Sequence, residues 1–190
     1  MAAFVAASSL AAFVDERVGD AVLVVAVDGH GASGKSTIAA ALARMRDVAL
    51  VHTDDFFVPA RDRAATLSID GRYDWRRLRA EALEPLRRRR TARFAATRWD
   101  RDDHEAVVIE PAQVVILEGV YAAGANLEDL VDHRVLVTTP VVERLSRLHE
   151  RVPEGQWDDG WIVAELEYFA ALDPPRGFDL QLSGSERIHR

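Results

Sequence analysis

Two adjoining stretches decide the fold: residues 21–27 (AVLVVAV) and residues 29–36 (GHGASGKS). The first is a continuous apolar, β-branched run, which is typical of a parallel strand buried on both faces. The second matches the pattern G-x-x-x-x-G-K-[ST] in full. Its glycines let the backbone wrap so that successive N–H groups point at phosphate oxygens, and the start of the next helix adds partial positive charge. We therefore predict a phosphate-binding loop between a buried strand and a helix.

The residues of this loop have separate predicted roles. Lys35 reaches the β- and γ-phosphates as a compact charge, and the hydroxyl of Ser36 is offered to Mg²⁺. Lys35 is also the single lysine among 24 basic residues. A forked guanidinium would fit the loop poorly, which explains why a lysine is kept here. The residues expected to bind the nucleotide phosphates are Gly29, His30, Gly31, Ala32, Ser33, Gly34, Lys35, Ser36 and Thr37.

The composition limits the class of protein. The chain has 190 residues, 48% apolar and 29% charged, which suits a single domain over residues 1–190. A formal charge of −7 argues against broad nucleic-acid binding, and the complete lack of cysteine excludes disulfide scaffolds, Cys-based zinc sites and thiol catalysis. No apolar run approaches the length of a membrane span. We expect a cytoplasmic protein without nucleic-acid or membrane partners, and the sequence leaves a homo-oligomer open.

Apolar runs elsewhere predict strands alternating with helices. Strands are expected at residues 21–27, 48–52, 114–117, 135–137 and 178–182, and helices at the N-terminus and at 36–46, 75–90, about 139–151 and 161–172. This alternation implies an α/β fold, a three-layer α/β/α sandwich around a mostly parallel sheet of about five strands. Such sheets bind ligands at the carboxyl ends of their strands, so the polar residues after each run are the candidate site.

Elimination among phosphate-loop proteins favours small-molecule kinases. A regulatory GTPase needs an N-K-x-D motif, and this chain has no second lysine. ATPase motors end an apolar strand in Asp-Glu, whereas residues 114–117 (VVIL) are followed by Glu118-Gly119. A kinase needs an acceptor held in line with the γ-phosphate and a group that accepts the hydroxyl proton. Asp54 and Asp55, after the second strand, are candidates for this base and for a metal partner, although an acidic turn capping a loop is the alternative.

The chain resembles the uridine kinase-like branch of P-loop kinases, which includes uridine–cytidine, nicotinamide riboside and pantothenate kinases and phosphoribulokinase. The resemblance runs from about residue 22 to residue 182. Its anchors are the phosphate loop, TDDFF at residues 53–57 and ILEG at residues 116–119. It implies that Asp54 is the catalytic base and that Mg²⁺ is held by Ser36, Asp54 and Glu118.

Weaker similarities concern the acceptor. Tyr73-Asp74 resembles the aromatic–Asp pair that grips ribose hydroxyls, and residues 99–104 (WDRDDH) resemble a Tyr-Asp-Phe-x-x-His segment that surrounds the base. Arg101 stands where that segment has phenylalanine and Ala106 where the family has arginine, so pyrimidine recognition is left open. Core aromatic positions and a surface histidine are the alternatives. The acceptor-binding residues implied are Asp54, Phe57, Tyr73, Asp74, Trp99, Asp100 and His104.

Three arginines follow the fourth predicted strand at helical spacing: Arg144, Arg147 and Arg151, in ERLSRLHER. In the resembled family a lid helix at this point closes over the triphosphate, and its arginines stabilise the charge in transfer. We therefore expect a short helical lid at about residues 144–160, with these arginines and Lys35 acting in catalysis beside Asp54. The alternative is a solvated helix face.

Together these features predict a kinase that uses ATP and Mg²⁺ to phosphorylate a hydroxyl of a small metabolite, in the first place a nucleoside 5′-hydroxyl. Kinases for nicotinamide riboside, pantothenate or a sugar phosphate are the alternatives within the class. A nucleotide-binding regulatory P-loop ATPase is the alternative of another class. Carboxylates at both Asp54 and Glu118 favour the enzyme, because ATP binding alone needs no base.

Overall fold

The computed structural model describes residues 2–58, 72–98, 103–151, 159–172 and 176–185. Its centre is a five-stranded parallel sheet, as predicted, with strand order β2-β5-β1-β6-β7. The remaining two strands, β3 and β4, pair antiparallel in a hairpin. The strands are β1 (Leu23–Asp28), β2 (Ala49–His52), β3 (Ala92–Arg98), β4 (Asp103–Ile109), β5 (Val114–Glu118), β6 (His133–Thr138) and β7 (Leu180–Ser183).

Helices lie on both faces of the sheet and complete the predicted three layers. They are α1 (Ala2–Asp15), α2 (Lys35–Met45), α3 (residues 75–87, π-helical over Leu78–Leu83), α4 (Val141–Arg151) and α5 (Asp159–Ala171). Alternate residues of β1 enter different cores, because successive side chains of a strand point to opposite faces. Val25 packs with α1 and α2, whereas Val24 packs with α3, the hairpin and Phe169 of α5. The N-terminal apolar segment is therefore a helix packed on the domain.

The β3–β4 hairpin was not predicted from the sequence. In β3 the side chains of Ala92, Phe94 and Ala96 are buried, while those of Arg93 and Ala95 are exposed. This is the alternation of a half-buried strand, but two of its three inward residues are alanines, which carry little strand signal. The predicted acceptor residues Trp99 and Asp100 lie outside the described part of the chain.

The parallel register brings three strand ends to one edge of the sheet. Val27 and His52 are both opposite Glu118 in the pairing of β1 and β2 with β5. The phosphate loop after β1, a 3₁₀ turn at Thr53–Phe56 after β2 and the carboxylate of Glu118 therefore meet at this edge. Within the described residues, no helix has the length and apolar character needed to span a membrane.

Candidate active site

The predicted phosphate loop lies between β1 and α2, as expected from the sequence. Gly34 adopts a left-handed φ of +95°, and a Cβ there would lie 3.3 Å from the carbonyl oxygen of Gly184. Lys35 is buried, and its Nζ lies 3.4 Å from the carbonyl oxygen of His30, so the ammonium folds back across the loop. Thr139 donates its hydroxyl to the Ser33 carbonyl at 2.8 Å and ties the loop to the end of β6.

Ser36 and Glu118, two of the predicted metal ligands, lie in direct contact. The Ser36 hydroxyl donates to Glu118 Oε2 at 3.1 Å, and the second carboxylate oxygen, Oε1, lies 2.6 Å from His52 Nδ1. Burial raises the pKa of Glu118, but the His52 hydrogen bond and the charge of Lys35 outweigh it and leave that pKa below its usual value. The same hydrogen bond raises the pKa of His52.

These oxygen donors fit magnesium. Mg²⁺ prefers hydroxyl and carboxylate oxygens, and is commonly bound by one or two carboxylates together with substrate phosphates and waters. In the ranges the structure describes, no group of three or more His, Cys, Asp or Glu residues forms a metal cage. A cation at Ser36 and Glu118 would therefore complete its coordination with phosphate oxygens. Sequence reasoning missed His52, whose place opposite Glu118 depends on strand register.

Asp54 lies beside this pair, at the start of the 3₁₀ turn. Its Oδ1 accepts a hydrogen bond of 3.1 Å from the Tyr73 hydroxyl, while the side chain stays open to solvent on one side. Close packing raises the pKa of Asp54 and Glu118 adds to the rise, while Lys35 and the Tyr73 hydroxyl oppose it. A carboxylate of raised pKa, open to a ligand, is suited to accept a proton near neutral pH. Asp55, by contrast, is 5% exposed.

The other predicted acceptor residues divide between this site and elsewhere. The Phe57 ring packs edge-on against Tyr73, with centroids 5.9 Å apart, so it belongs to the wall beside Asp54. Asp74 caps α3, because its Oδ1 accepts the backbone N–H of Arg77 at 3.0 Å. His104 is exposed on β4. The structure thus brings Phe57 and Tyr73 to Asp54 and gives Asp74 a local structural contact.

Two of the three predicted lid arginines on α4 contact the phosphate loop. Arg144 Nη1 donates to the Gly31 carbonyl at 3.1 Å, and Arg147 Nη1 donates to the Ala32 carbonyl at 3.2 Å. Arg151 is exposed and lines a cavity of about 240 Å³ with Gly34 and Thr37 at the start of α2. The cavity adjoins the phosphate loop, where the remainder of a bound nucleotide would extend.

Glu165 on α5 is a loop contact that sequence reasoning did not find. It is 3% exposed, and both of its carboxylate oxygens lie 3.1 Å from the backbone nitrogen of Gly31. His30 Nδ1 lies 3.1 Å from Oε2, the indole N–H of Trp161 donates to Oε1, and Arg144 Nη1 lies 3.7 Å away. These donors lower the pKa of Glu165 despite its burial. The i, i+4 spacing of Trp161 and Glu165 was the available signal, because it places both on one helix face.

Aromatic rings connect Asp54 to α5. The Tyr73 ring lies 6.3 Å from Trp161 and 6.0 Å from Tyr121, and Tyr121 lies 4.6 Å from Tyr168. Tyr121 follows β5 with a left-handed φ of +70°, which is unusual for a bulky residue. Its buried hydroxyl has no hydrogen-bond partner among the described residues. In this aromatic wall Tyr73 and Tyr121 are buried, whereas Trp161 and the neighbouring Phe57 are partly exposed.

Solved structures share this arrangement of elements, although no family model and no curated protein matches the chain. A possible uridine kinase from Bacillus stearothermophilus matches with a TM-score of 0.75 and 18% identity, over 94% of this chain and 97% of that one. The chain has the uridine kinase-like P-loop kinase fold. A putative fructose transport system kinase from Silicibacter sp. TM1040 has the same fold (TM-score 0.63, 21% identity, 95% of this chain and 98% of that one).

A D-glycerate 3-kinase from Cryptococcus neoformans matches with a TM-score of 0.56 and 15% identity, over 87% of this chain and 86% of that one. The names of these three proteins refer to different acceptors, so the uridine kinase-like fold is compatible with more than one kind of acceptor. The shared fold alone therefore does not identify a substrate for this chain.

Proposed function

We propose that this protein is a kinase that transfers the γ-phosphate of ATP to a hydroxyl of a small metabolite, in the first place a nucleoside 5′-hydroxyl. The observation that carries the proposal is the position of Asp54. It is a carboxylate open to ligands, oriented by the Tyr73 hydroxyl and placed next to Lys35 and the Ser36–Glu118 pair. A protein that only binds a nucleotide needs no such group.

The phosphate end of the nucleotide would lie in the loop. Backbone N–H groups of residues 29–36 and the ammonium of Lys35 bind and neutralise phosphate oxygens, and the cavity beside Gly34 and Thr37 leaves room for the rest of the nucleotide. Ser36 and Glu118 would hold Mg²⁺, which reduces the charge of the phosphates when it is bound. Gly119 keeps Glu118 in place, because at its φ of +150° a Cβ would overlap the Thr53 hydroxyl.

Asp54 would orient the acceptor hydroxyl and take its proton. Phosphoryl transfer depends mainly on positioning and on electrostatic stabilisation. The hydrogen bond from Tyr73 fixes one carboxylate oxygen and leaves the other free to accept the hydroxyl proton. Arg144 and Arg147, held over the loop by carbonyl contacts, would exclude water, which would otherwise hydrolyse ATP.

The aromatic wall supports a nucleoside as the acceptor. Phe57 and Trp161, the partly exposed rings of this wall, would offer ring surface to a planar base beside the carboxylate that would receive the sugar hydroxyl, with the buried Tyr73 and Tyr121 behind them. We further propose that the protein is cytoplasmic and that its partners are its small-molecule substrates, since its charge is negative and it has no cysteine.

The test is an assay of ADP release from MgATP with a panel of acceptors. The panel contains nucleosides, nicotinamide riboside, pantothenate, sugars, sugar phosphates and D-glycerate. A large stimulation by one nucleoside is the expected result. Stimulation only by an acceptor of another class would support the kinase activity but contradict a nucleoside as the acceptor. A basal ATP turnover that no acceptor raises would contradict the kinase and favour a regulatory ATPase.

A further inference from the structure

The buried carboxylate of Glu165 accepts a hydrogen bond from a backbone N–H of the phosphate loop, a group that such a loop offers to phosphate. Backbone N–H groups of such loops point inward to bind phosphate oxygens. In this structure the N–H of Gly31 donates instead to the carboxylate of Glu165, and His30 and Arg144 lie on the same carboxylate. A backbone N–H, an imidazole and a guanidinium around one anionic group are also what a phosphate would receive.

The position of Lys35 indicates which phosphate would reach this point. Its ammonium lies 3.4 Å from the carbonyl oxygen of His30, next to Gly31, and its charge acts on both Asp54 and Glu118. The phosphate closest to that ammonium and to Asp54 is the one to be transferred. Gly31, next to His30, therefore lies near the terminal phosphate.

We propose that Glu165 is a specificity-determining residue that competes with the terminal phosphate of a triphosphate for the N–H of Gly31. The inference rests on the proposed function, because it assumes that ATP occupies the loop. Two anions cannot share this position without strong repulsion, because the carboxylate of Glu165 is buried and poorly screened by water. ATP binding has to displace Glu165, whereas ADP, which lacks the terminal phosphate, leaves it in place.

Displacement of Glu165 also moves the wall of the acceptor site. Trp161 lies one turn earlier on α5, and its indole N–H donates to Glu165. Its ring lies 6.3 Å from Tyr73, whose hydroxyl holds Asp54. When ATP displaces Glu165, the indole N–H of Trp161 loses its acceptor, and the ring beside Tyr73 is no longer held in this position.

Nucleotide affinities of Glu165→Gln test the competition directly. Glutamine keeps the length and an oxygen for the Gly31 N–H but loses the charge, so the loop keeps its shape while the repulsion disappears. We expect Glu165→Gln to bind MgATP about tenfold more tightly than the wild type and MgADP within twofold of it. Glu167→Gln, at an exposed carboxylate of the same helix, is the matched control and should change neither affinity.

Fluorescence of the wild-type protein gives a second measurement that does not depend on the variant's folding. MgATP should change the emission of Trp161 and MgADP should not, and the ATP-dependent change should disappear in Trp161→Phe. Weaker or equal binding of both nucleotides by a folded Glu165→Gln, or the same emission change with ADP as with ATP, overturns the inference and leaves the kinase proposal intact. A wild-type protein that binds neither nucleotide would overturn both.

Discussion

Replacing Asp28 by asparagine probes a buried carboxylate that joins three parts of the site. Asp28 ends β1 and is fully buried. Its Oδ1 accepts the backbone N–H groups of Gly29 at 2.7 Å and of Tyr121 at 3.1 Å, while its Oδ2 accepts the N–H of Ala123 at 2.9 Å and the hydroxyl of Tyr168. It thereby connects the phosphate loop to the segment after β5 and to α5.

The magnitude follows from the pKa of this group. Burial raises the pKa of Asp28 from 3.8 to about 6, although its hydrogen bonds oppose the rise. At pH values between 3.8 and about 6, the folded protein therefore keeps a proton on Asp28 that the unfolded chain has already released. The stability contributed by Asp28 is fully present below about pH 4 and is lost as the pH rises through about 6. A shift of this size corresponds to about 3 kcal/mol in the free energy of unfolding.

Urea unfolding at several pH values between 4 and 7 measures this effect. The free energy of unfolding of the wild type relative to Asp28→Asn should fall by up to about 3 kcal/mol over that interval, because asparagine does not titrate. Asp20→Asn, at an exposed carboxylate, controls for the loss of one negative charge. A difference between wild type and Asp28→Asn that stays constant from pH 4 to pH 7 would refute the reasoning.

Three substitutions test individual roles in the site. Lys35→Arg should lower turnover by about 10²-fold or more, because the forked guanidinium of arginine cannot replace the compact contact of the lysine ammonium. A turnover within threefold of wild type would contradict this. Tyr73→Phe should lower kcat by about tenfold while ATP affinity stays unchanged, because the lost hydroxyl orients Asp54. If kcat and ATP affinity fall equally, Tyr73 has a structural role and not an orienting one. Asp74→Asn can still cap α3, so the stability of the protein should not change. A raised KM for the acceptor would then indicate the ribose contact, and an unchanged acceptor KM would exclude it.

The elements that were predicted from the sequence are those whose signal is local. The apolar run at residues 21–27 and the glycine pattern after it define β1, the phosphate loop and the start of α2 almost to the residue. The hairpin was missed because β3 buries small alanines, which carry little strand signal. The π-helical segment of α3 depends on packing around Leu78 and Leu83 and has no sequence signature of its own.

The site shows the same division. That Lys35, Ser36, Asp54 and Glu118 lie together could be predicted because parallel strands end at one edge of the sheet, where the polar residues after each strand meet. His52 and Glu165 were missed because their roles arise from contacts between elements distant in sequence. Glu165 is 134 residues from Gly31 in the sequence, and their contact forms only when α5 packs against the loop.

The most direct test of the account is the rate of γ-phosphate transfer to the acceptor by Asp54→Asn and Asp55→Asn, measured together with their ATP affinities. The account predicts that Asp54→Asn binds ATP like the wild type but transfers phosphate about 10²–10⁴-fold more slowly, because the amide cannot take the hydroxyl proton. Asp55→Asn should stay within about tenfold of the wild type. A severe loss confined to Asp55→Asn, or wild-type transfer by both variants, would contradict the assignment of Asp54 as the base.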